Sequence, residues 1–196
     1  FKKGPRWFFF KNDGLQNQSV MYQLDSLEAV PKVLLDPNAW SKEGTTALGG
    51  YSFSHDGKLL AYSKSEGGSD WHTWHVYDVE NGKELPDLIR WSKFSGASFT
   101  HDGKGFFYSR YPEPAAGDEL DSANYFHKIY YHRIGTAQAD DVLVFEDKDN
   151  KTRGFGGHVT EDGKYLVIHV WEGTDRRNRL YYMPLGKDGA YDAKAK

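Results

Sequence analysis

Apolar and polar residues alternate in short runs along this chain, and three of the runs follow one plan. Phe53 to Ser63 reads FSHDGKLLAYS, Phe99 to Ser109 reads FTHDGKGFFYS, and Val159 to His169 reads VTEDGKYLVIH. Each sets a short alternating stretch before an Asp-Gly pair and a Lys, then continues into a run rich in aromatic and branched side chains. Asp-Gly supplies the positive φ of a tight turn, and a period of two suits a half-buried pleated surface, so each copy predicts a β-hairpin. The carboxylates of Asp56, Asp102 and Asp162 can bond the backbone ahead of them, which accounts for all three by the turn alone. Recurrence at intervals of 46 residues (56 to 102) and 60 residues (102 to 162) marks a repeat architecture.

With the hairpin as anchor, the second unit divides into strands at Gly50–Ser54, Leu59–Ser65, Trp71–Val79 and Lys83–Ile89. The third divides into Gly96–Thr100, Gly105–Tyr111, Lys128–Gly135 and Asp141–Asp147. The last unit gives Phe155–Thr160, Lys164–Trp171 and Arg179–Gly186, without a fourth strand. At the other end Arg6–Asn12, Ser19–Asp25 and Pro31–Pro37 match the second, third and fourth strands of a unit whose first strand is absent. Four-stranded units of about 40 to 60 residues are the blades of a β-propeller. The predicted fold is therefore all-β, a β-propeller fragment of four-stranded antiparallel blades, two complete ones flanked by two partial ones. Boundaries fall near residues 1–46, 47–92, 93–149 and 150–196. Closed propellers have about four to eight blades, so this fragment leaves open sheet edges, and such edges predict self-association of the isolated chain.

Strand direction alternates, so turns after first and third strands lie on one face of the blades and those after second and fourth strands on the other. The Asp-Gly turns belong to the first face. The opposite face carries the more elaborate loops: NDGLQNQ (Asn12–Gln18), SEGGSDW (Ser65–Trp71), YPEPAAGDELDSANYFH (Tyr111–His127) and WEGTDRRN (Trp171–Asn178). Loops carry function more often than scaffold, so a site is expected there, and the long Pro/Gly/acidic Tyr111–His127 loop reads as a gate or as a disordered segment.

Composition narrows the classes. Hydrophobic residues make up 38% of the chain and aromatic ones 16%, so the apolar area is concentrated in large rings that can fill a sizeable core. A formal charge of −3, with no basic cluster beyond Arg176-Arg177, argues against nucleic acid. There is no cysteine, which excludes disulfides and thiolate metal sites and fits a cytoplasmic protein. No apolar run approaches the ~18 residues of a membrane span. The chain opens with FKKGPRWFFF, already inside a strand-like run and without an initiating Met, which reads as a segment of something longer.

Direct signs of chemistry are weak. GYSFS at Gly50 begins like a nucleophile elbow but ends in Ser54 where Gly is needed. His55 and His101 precede two of the turns without a surrounding ligand set, and the third copy has Glu161 instead. His72 and His75 stand three apart in a strand and so face opposite ways. DKDNK at Asp147 lacks the remaining ligands and the Gly of a calcium loop, and neither GGYSF nor GFGG precedes a helix that could hold phosphate. The loop carboxylates Asp70, Asp118, Glu119 and Asp175 read as solvated or turn-capping groups. No cofactor, no metal and no catalytic residue is expected in this chain.

Seven stretches nevertheless share one resemblance. GLQNQSVMY (Gly14–Tyr22), LDPN (Leu35–Asn38), GSDW (Gly68–Trp71), KELPD (Lys83–Asp87), THDGKGFFYSRYP (Thr100–Pro112), KIYYHRIGT (Lys128–Thr136) and NRLYY (Asn178–Tyr182) together resemble the propeller domain of the prolyl oligopeptidase family. The likeness runs in one order over almost the whole chain. It implies a cytoplasmic serine peptidase that cuts short peptides after proline, with a seven-bladed propeller covering an α/β-hydrolase domain that carries the catalytic triad. That domain lies outside these residues, so the segment alone should be inactive. The family propeller restricts entry by size and lends residues to a pocket for the side chain two residues before the proline. By resemblance, Phe94 in KFSG matches the family's Phe. Phe155 in GFGG stands where Met is common, Thr174 in EGTD where mammalian members have Cys, and Trp171 where some members carry Arg. All four lie at or beside loops of the elaborate face; the alternative for Phe94 or Phe155 is a core aromatic of neighbouring blades. The alternative is a stand-alone propeller module that binds a protein or peptide without catalysis.

Overall fold

The structure, a computed structural model, describes residues 1–119 and 121–193, so the long loop and the last unit are described without residue 120 and residues 194–196. The repeated phrase folds three times into one turn. Two residues before each Asp stands a hydroxyl, and Ser54, Thr100 and Thr160 each donate to the following carboxylate at 2.7 Å. The same carboxylate oxygen accepts the backbone N–H of Lys58, Lys104 or Lys164 at 3.1 Å. Gly57, Gly103 and Gly163 take φ of 71°, 66° and 71°, the left-handed region that a Cβ disfavours.

Each of these turns joins the first two strands of one sheet, and the described strands form four antiparallel sheets laid in chain order. The first contains β1 (Lys2–Lys3), β2 (Arg6–Lys11), β3 (Val20–Leu24) and β4 (Lys32–Leu35). The second contains β5 (Thr46–Phe53), β6 (Leu59–Glu66), β7 (His72–Asp78) and β8 (Lys83–Ser92). The third contains β9 (Ser98–Phe99), β10 (Gly105–Arg110), β11 (Lys128–Arg133) and β12 (Val142–Glu146). The fourth is three-stranded, with β13 (Arg153–Val159), β14 (Tyr165–Glu172) and β15 (Arg179–Pro184).

Two departures from the sequence pattern are informative. The first unit does have an inner strand, the two-residue β1, which pairs Lys2 with Trp7 and Lys3 with Arg6. Phe1 extends it by exchanging bonds with Phe8 at 2.8 and 3.0 Å. Two lysines offer no apolar alternation, so this strand left no mark in the pattern. Conversely β9 is shorter than Gly96–Thr100, and β10 runs on past it. Side-chain hydroxyls occupy the position of the missing strand. Ser95 Oγ accepts the Ser109 N–H at 2.7 Å, and Ser92 Oγ donates to the Ser109 carbonyl at 2.8 Å while accepting from the Trp74 indole N–H at 3.1 Å. Buried backbone groups must find partners, and here serines supply them.

The core lies between sheets and not within them. Phe8, Met21, Leu34 and Leu35 of the first sheet pack on Phe53, Leu60 and Tyr62 of the second. Ala61, Trp74, Val76 and Ile89 pack on Phe99, Phe106 and Tyr108 of the third, whose other face sets Phe107, Ile129 and Tyr131 against Phe155, Leu166 and Ile168 of the fourth. Each fully buried large side chain contributes about 1.5–3 kcal/mol. The second seam also holds a charged clasp: His132 donates from Nδ1 to Asp141 at 2.7 Å and from Nε2 to Asp87 at 2.9 Å, all three side chains being fully buried or nearly so. Burial opposes the imidazolium, but the hydrogen bonds and charges of Asp141 and Asp87 prevail and raise its pKa to about 9. Asp87 also accepts the Gly135 N–H at 2.6 Å, and Asp141 the Tyr108 hydroxyl at 2.6 Å.

The Asp-Gly turns of neighbouring sheets sit side by side. Gly4 lies against the Asp56 carbonyl so closely that a Cβ would collide with it, and Gly163 lies against the His101 ring. His55 and His101 stack at 4.1 Å, a pairing across units that neither copy announces. On the outer edge of the fourth sheet β15 exposes Leu180, Tyr181 and Tyr182. Among the described residues no group of His, Cys, Asp and Glu is arranged to hold a metal, and no helix is long and apolar enough to cross a membrane.

Candidate functional site

The starts of β5 and β7 and the ends of β6 and β8 meet on the face opposite the Asp-Gly turns. There they enclose a cavity of about 580 Å³ lined by Trp40, Lys64, Trp71, His72, Arg90 and Trp91. His72 and His75 both border the cavity and take separate partners, the first bonding Ser63 Oγ at 3.2 Å and the second Glu84 at 3.0 Å. Trp71 ties this rim to the long loop. Its indole N–H donates to the Glu119 carbonyl at 2.6 Å, and its ring meets Trp91 and Tyr111 edge-on. The Lys93 ammonium lies 3.9 Å from the Trp71 ring centre and donates to Asn124 at 3.3 Å. A buried cation held by an aromatic face and an amide oxygen fixes both partners firmly.

Strained backbone marks the same face. Trp91, Phe94 and Phe126 have φ of 62°, 53° and 60°. A bulky residue in this region costs about 1–3 kcal/mol and persists only where its surroundings impose it. Phe94, in the connection from β8 to β9, is also 53% exposed, so it is not a core aromatic in this chain. Phe126 is 42% exposed and is anchored by its N–H to the Lys151 carbonyl at 2.8 Å.

Phe155 and Trp171 are placed differently from each other. Gly154 pairs with Trp171 and Phe155 with Val170, so consecutive residues of GFGG face opposite ways. Phe155 is 1% exposed and belongs to the apolar cluster between the third and fourth sheets. Trp171, half-buried, lies on the other side of the sheet, over Gly154 and Gly156, and a Cβ on Gly154 would fall on the indole. The two glycines are therefore a bed for this ring. Thr174 is exposed in the turn after β14, held by the Asp175 N–H donating to the Glu172 carbonyl at 3.1 Å. Among the described residues neither Phe94 nor Thr174 makes a ring contact or side-chain hydrogen bond with the other two candidates.

His127 is what brings Phe155 and Trp171 together. It ends the long loop, is fully buried, and its ring stacks on Tyr111, the first residue of that loop, at 4.4 Å. It lies 6.2 Å from the Phe155 ring and 5.9 Å from Trp171. Nδ1 accepts the Phe155 N–H at 3.0 Å, so the proton sits on Nε2, which is buried without a partner in hydrogen-bond geometry. Burial pushes its pKa down to about 4, and the Lys93 carbonyl opposes this only in part. Sequence spacing did not single out His127, Trp71 or Lys93. The signals available were the ends of the long loops at Trp71 and His127 and the stretches GSDW and KFSG that hold Trp71 and Lys93.

This arrangement can be compared with known proteins. Residues 1–195 match the family model described as prolyl oligopeptidase, N-terminal beta-propeller domain. A prolyl endopeptidase of Elizabethkingia miricola is 44% identical over 94% of the chain and 26% of the relative. Prolyl oligopeptidase A of Amanita bisporigera is 38% identical over 93% of the chain and 27% of the relative. Among solved structures, one of two prolyl endopeptidases compared for inter-domain dynamics in catalysis and specificity superimposes with a TM-score of 0.85 at 36% identity, covering 97% of this chain and 27% of that one. Prolyl oligopeptidase B from Galerina marginata, bound to a 35mer hydrolysis and macrocyclization substrate, gives 0.86 at 31% identity, over 96% of this chain and 28% of that one. The chain thus spans about a quarter of the length of these relatives. A sheet-by-sheet propeller architecture and a match over residues 1–195 lead to one assignment: the chain belongs to the prolyl oligopeptidase family, as part of its N-terminal β-propeller domain.

Proposed function

We propose that this chain is the substrate-gating propeller segment of a prolyl oligopeptidase, a serine peptidase that cleaves short peptides after proline with a triad carried on an α/β-hydrolase domain. The observation that carries the reading is the propeller-family match over residues 1–195, together with the likeness to relatives named as prolyl endopeptidases. In this reading the face bearing Trp71, Phe94 and the Tyr111–His127 loop turns toward the hydrolase domain. Exposed Phe94 and Thr174 and half-buried Trp171 contact the side chain two residues before the scissile proline. Phe155 shapes the same wall from beneath, since its own ring is buried. The absence of cysteine supports a cytoplasmic setting.

The test has two arms. The isolated chain is expected to leave a chromogenic Gly-Pro reporter uncleaved, and co-expression with the remainder of the polypeptide to restore turnover. Turnover by the purified chain above a blank would overturn the division of labour. In the full-length protein, Phe94→Ala is expected to lower kcat/KM about tenfold for a peptide with a bulky residue two before the proline, the scale of one apolar contact. Equal loss for bulky and small residues would remove Phe94 from that pocket.

A further inference from the structure

The backbone of Phe155 is gripped from both sides by the third sheet. His127 Nδ1 accepts its N–H at 3.0 Å, and Ser109 Oγ donates to its carbonyl at 2.8 Å. Ser109 is the residue whose own backbone is held by Ser92 and Ser95 in place of a β9 strand. The edge of β13 nearest the long loop is thus fixed by two side chains where strand pairing would ordinarily fix it. His127 reaches further than Ser109. Its ring lies against Tyr111 at the start of the loop, against Phe155 on one face of the fourth sheet and against Trp171 from the other.

We infer that His127 is a positioning residue of the pocket: it sets Phe155 and Trp171 relative to each other and couples their placement to the conformation of the 111–127 loop. The inference rests on the proposed peptidase function for its consequence, though not for its geometry. Neutral imidazole suits the role, because a protonated Nδ1 could not accept the Phe155 N–H. The burial that holds its pKa near 4 keeps it neutral through the physiological range. A side chain that only filled space would be replaceable by any ring. One that also accepts the N–H needs an acceptor at Nδ1, and Asn offers Oδ1 at a similar reach whereas Phe offers only the ring.

The experiment uses the full-length protein carrying His127→Phe, His127→Asn or Ser109→Ala. In H127F, amide exchange in peptides covering Phe155 is expected to accelerate by about tenfold, with H127N close to wild type. Selectivity, the kcat/KM ratio for two proline reporters differing only in the size of the residue two before the proline, is expected to shift by about fivefold in H127F, through KM more than kcat. In H127N it should stay within about twofold. Equal behaviour of the two variants, or unchanged exchange at Phe155 in H127F, overturns the inference. If H127F does not fold, Ser109→Ala must move selectivity and exchange in the same direction, and no movement overturns it. If wild type leaves both reporters uncleaved, the peptidase reading fails while the exchange measurement still decides the role of His127.

Discussion

Replacing His132 with Gln removes the member of the Asp87–His132–Asp141 clasp that can carry a positive charge. In the folded chain its pKa rises from the usual 6.5 to about 9, which corresponds to ~3 kcal/mol of preference for the imidazolium. Because the folded value lies above the unfolded one, that stability is fully present below about pH 6.5 and is lost as pH rises through about 9. The native state binds one more proton in this window, so stability should fall by about 1.4 kcal/mol per pH unit on its steep part. The variant lacks the proton and leaves two carboxylates facing each other in a dry seam, a break that typically costs about 3–5 kcal/mol. The assay is urea unfolding of wild type and H132Q at intervals from pH 6 to pH 10. Taking their difference cancels the titration of surface lysines and tyrosines common to both. The variant is expected to be less stable at pH 6, with the gap narrowing toward pH 10. A gap constant across the range would show that His132 is neutral in the fold and that the clasp is an ordinary hydrogen-bond bridge.

Other outcomes follow from the same geometry. Trp71→Phe removes the indole N–H that holds Glu119, so limited proteolysis should nick the 111–127 loop faster than in wild type; cleavage moving to the Asp-Gly turns would show that those, and not the loop, are the labile face. Gly154→Ala places a Cβ against the Trp171 indole, and a changed Trp171 fluorescence with loss of about 1–3 kcal/mol is expected; an unchanged spectrum would remove the bed. The unpaired outer edge of β15, with Leu180 and Tyr182 exposed at 68% and 73%, should make the isolated chain self-associate at micromolar concentration in sedimentation. Leu180→Lys should weaken that association, and a compact wild-type monomer would show that the edge is tolerated.

What was legible in the sequence follows from what is local. The Asp-Gly turns announce themselves because their chemistry is contained in five residues, from Ser54 to Lys58 and its two copies, and strands of alternating pattern place the sheets between them. β1 was invisible because Lys2 and Lys3 gain their strand identity only from Trp7 and Arg6 across a turn. The shortening of β9 was invisible for the same reason, since it depends on Ser92 and Ser95 taking over the bonds of Ser109. At the site, period two places Phe155 and Trp171 near one end of the fourth sheet, but the opposite facing of the two depends on the register of β13 with β14. His127 joins them over 28 and 44 residues of sequence (127 to 155, 127 to 171), a distance no spacing rule spans.

The placement of the core between sheets makes each seam a separate joint, and the joints are built from different materials. Among the described residues the first seam has no side-chain hydrogen bond from one sheet's strands to the other's and depends on stacked rings such as Phe8 and Phe53, 4.2 Å apart. The second has the Asp–His–Asp clasp and the Ser92–Ser109 bond, and the third has the Ser109 and His127 grip on Phe155. Apolar association weakens on cooling, whereas hydrogen-bonded contacts do not share that temperature dependence. Cold should therefore loosen the chain from its N-terminal end, freeing the first blade as a unit while the other three remain joined, with Phe94, Phe155 and Trp171 still held among them.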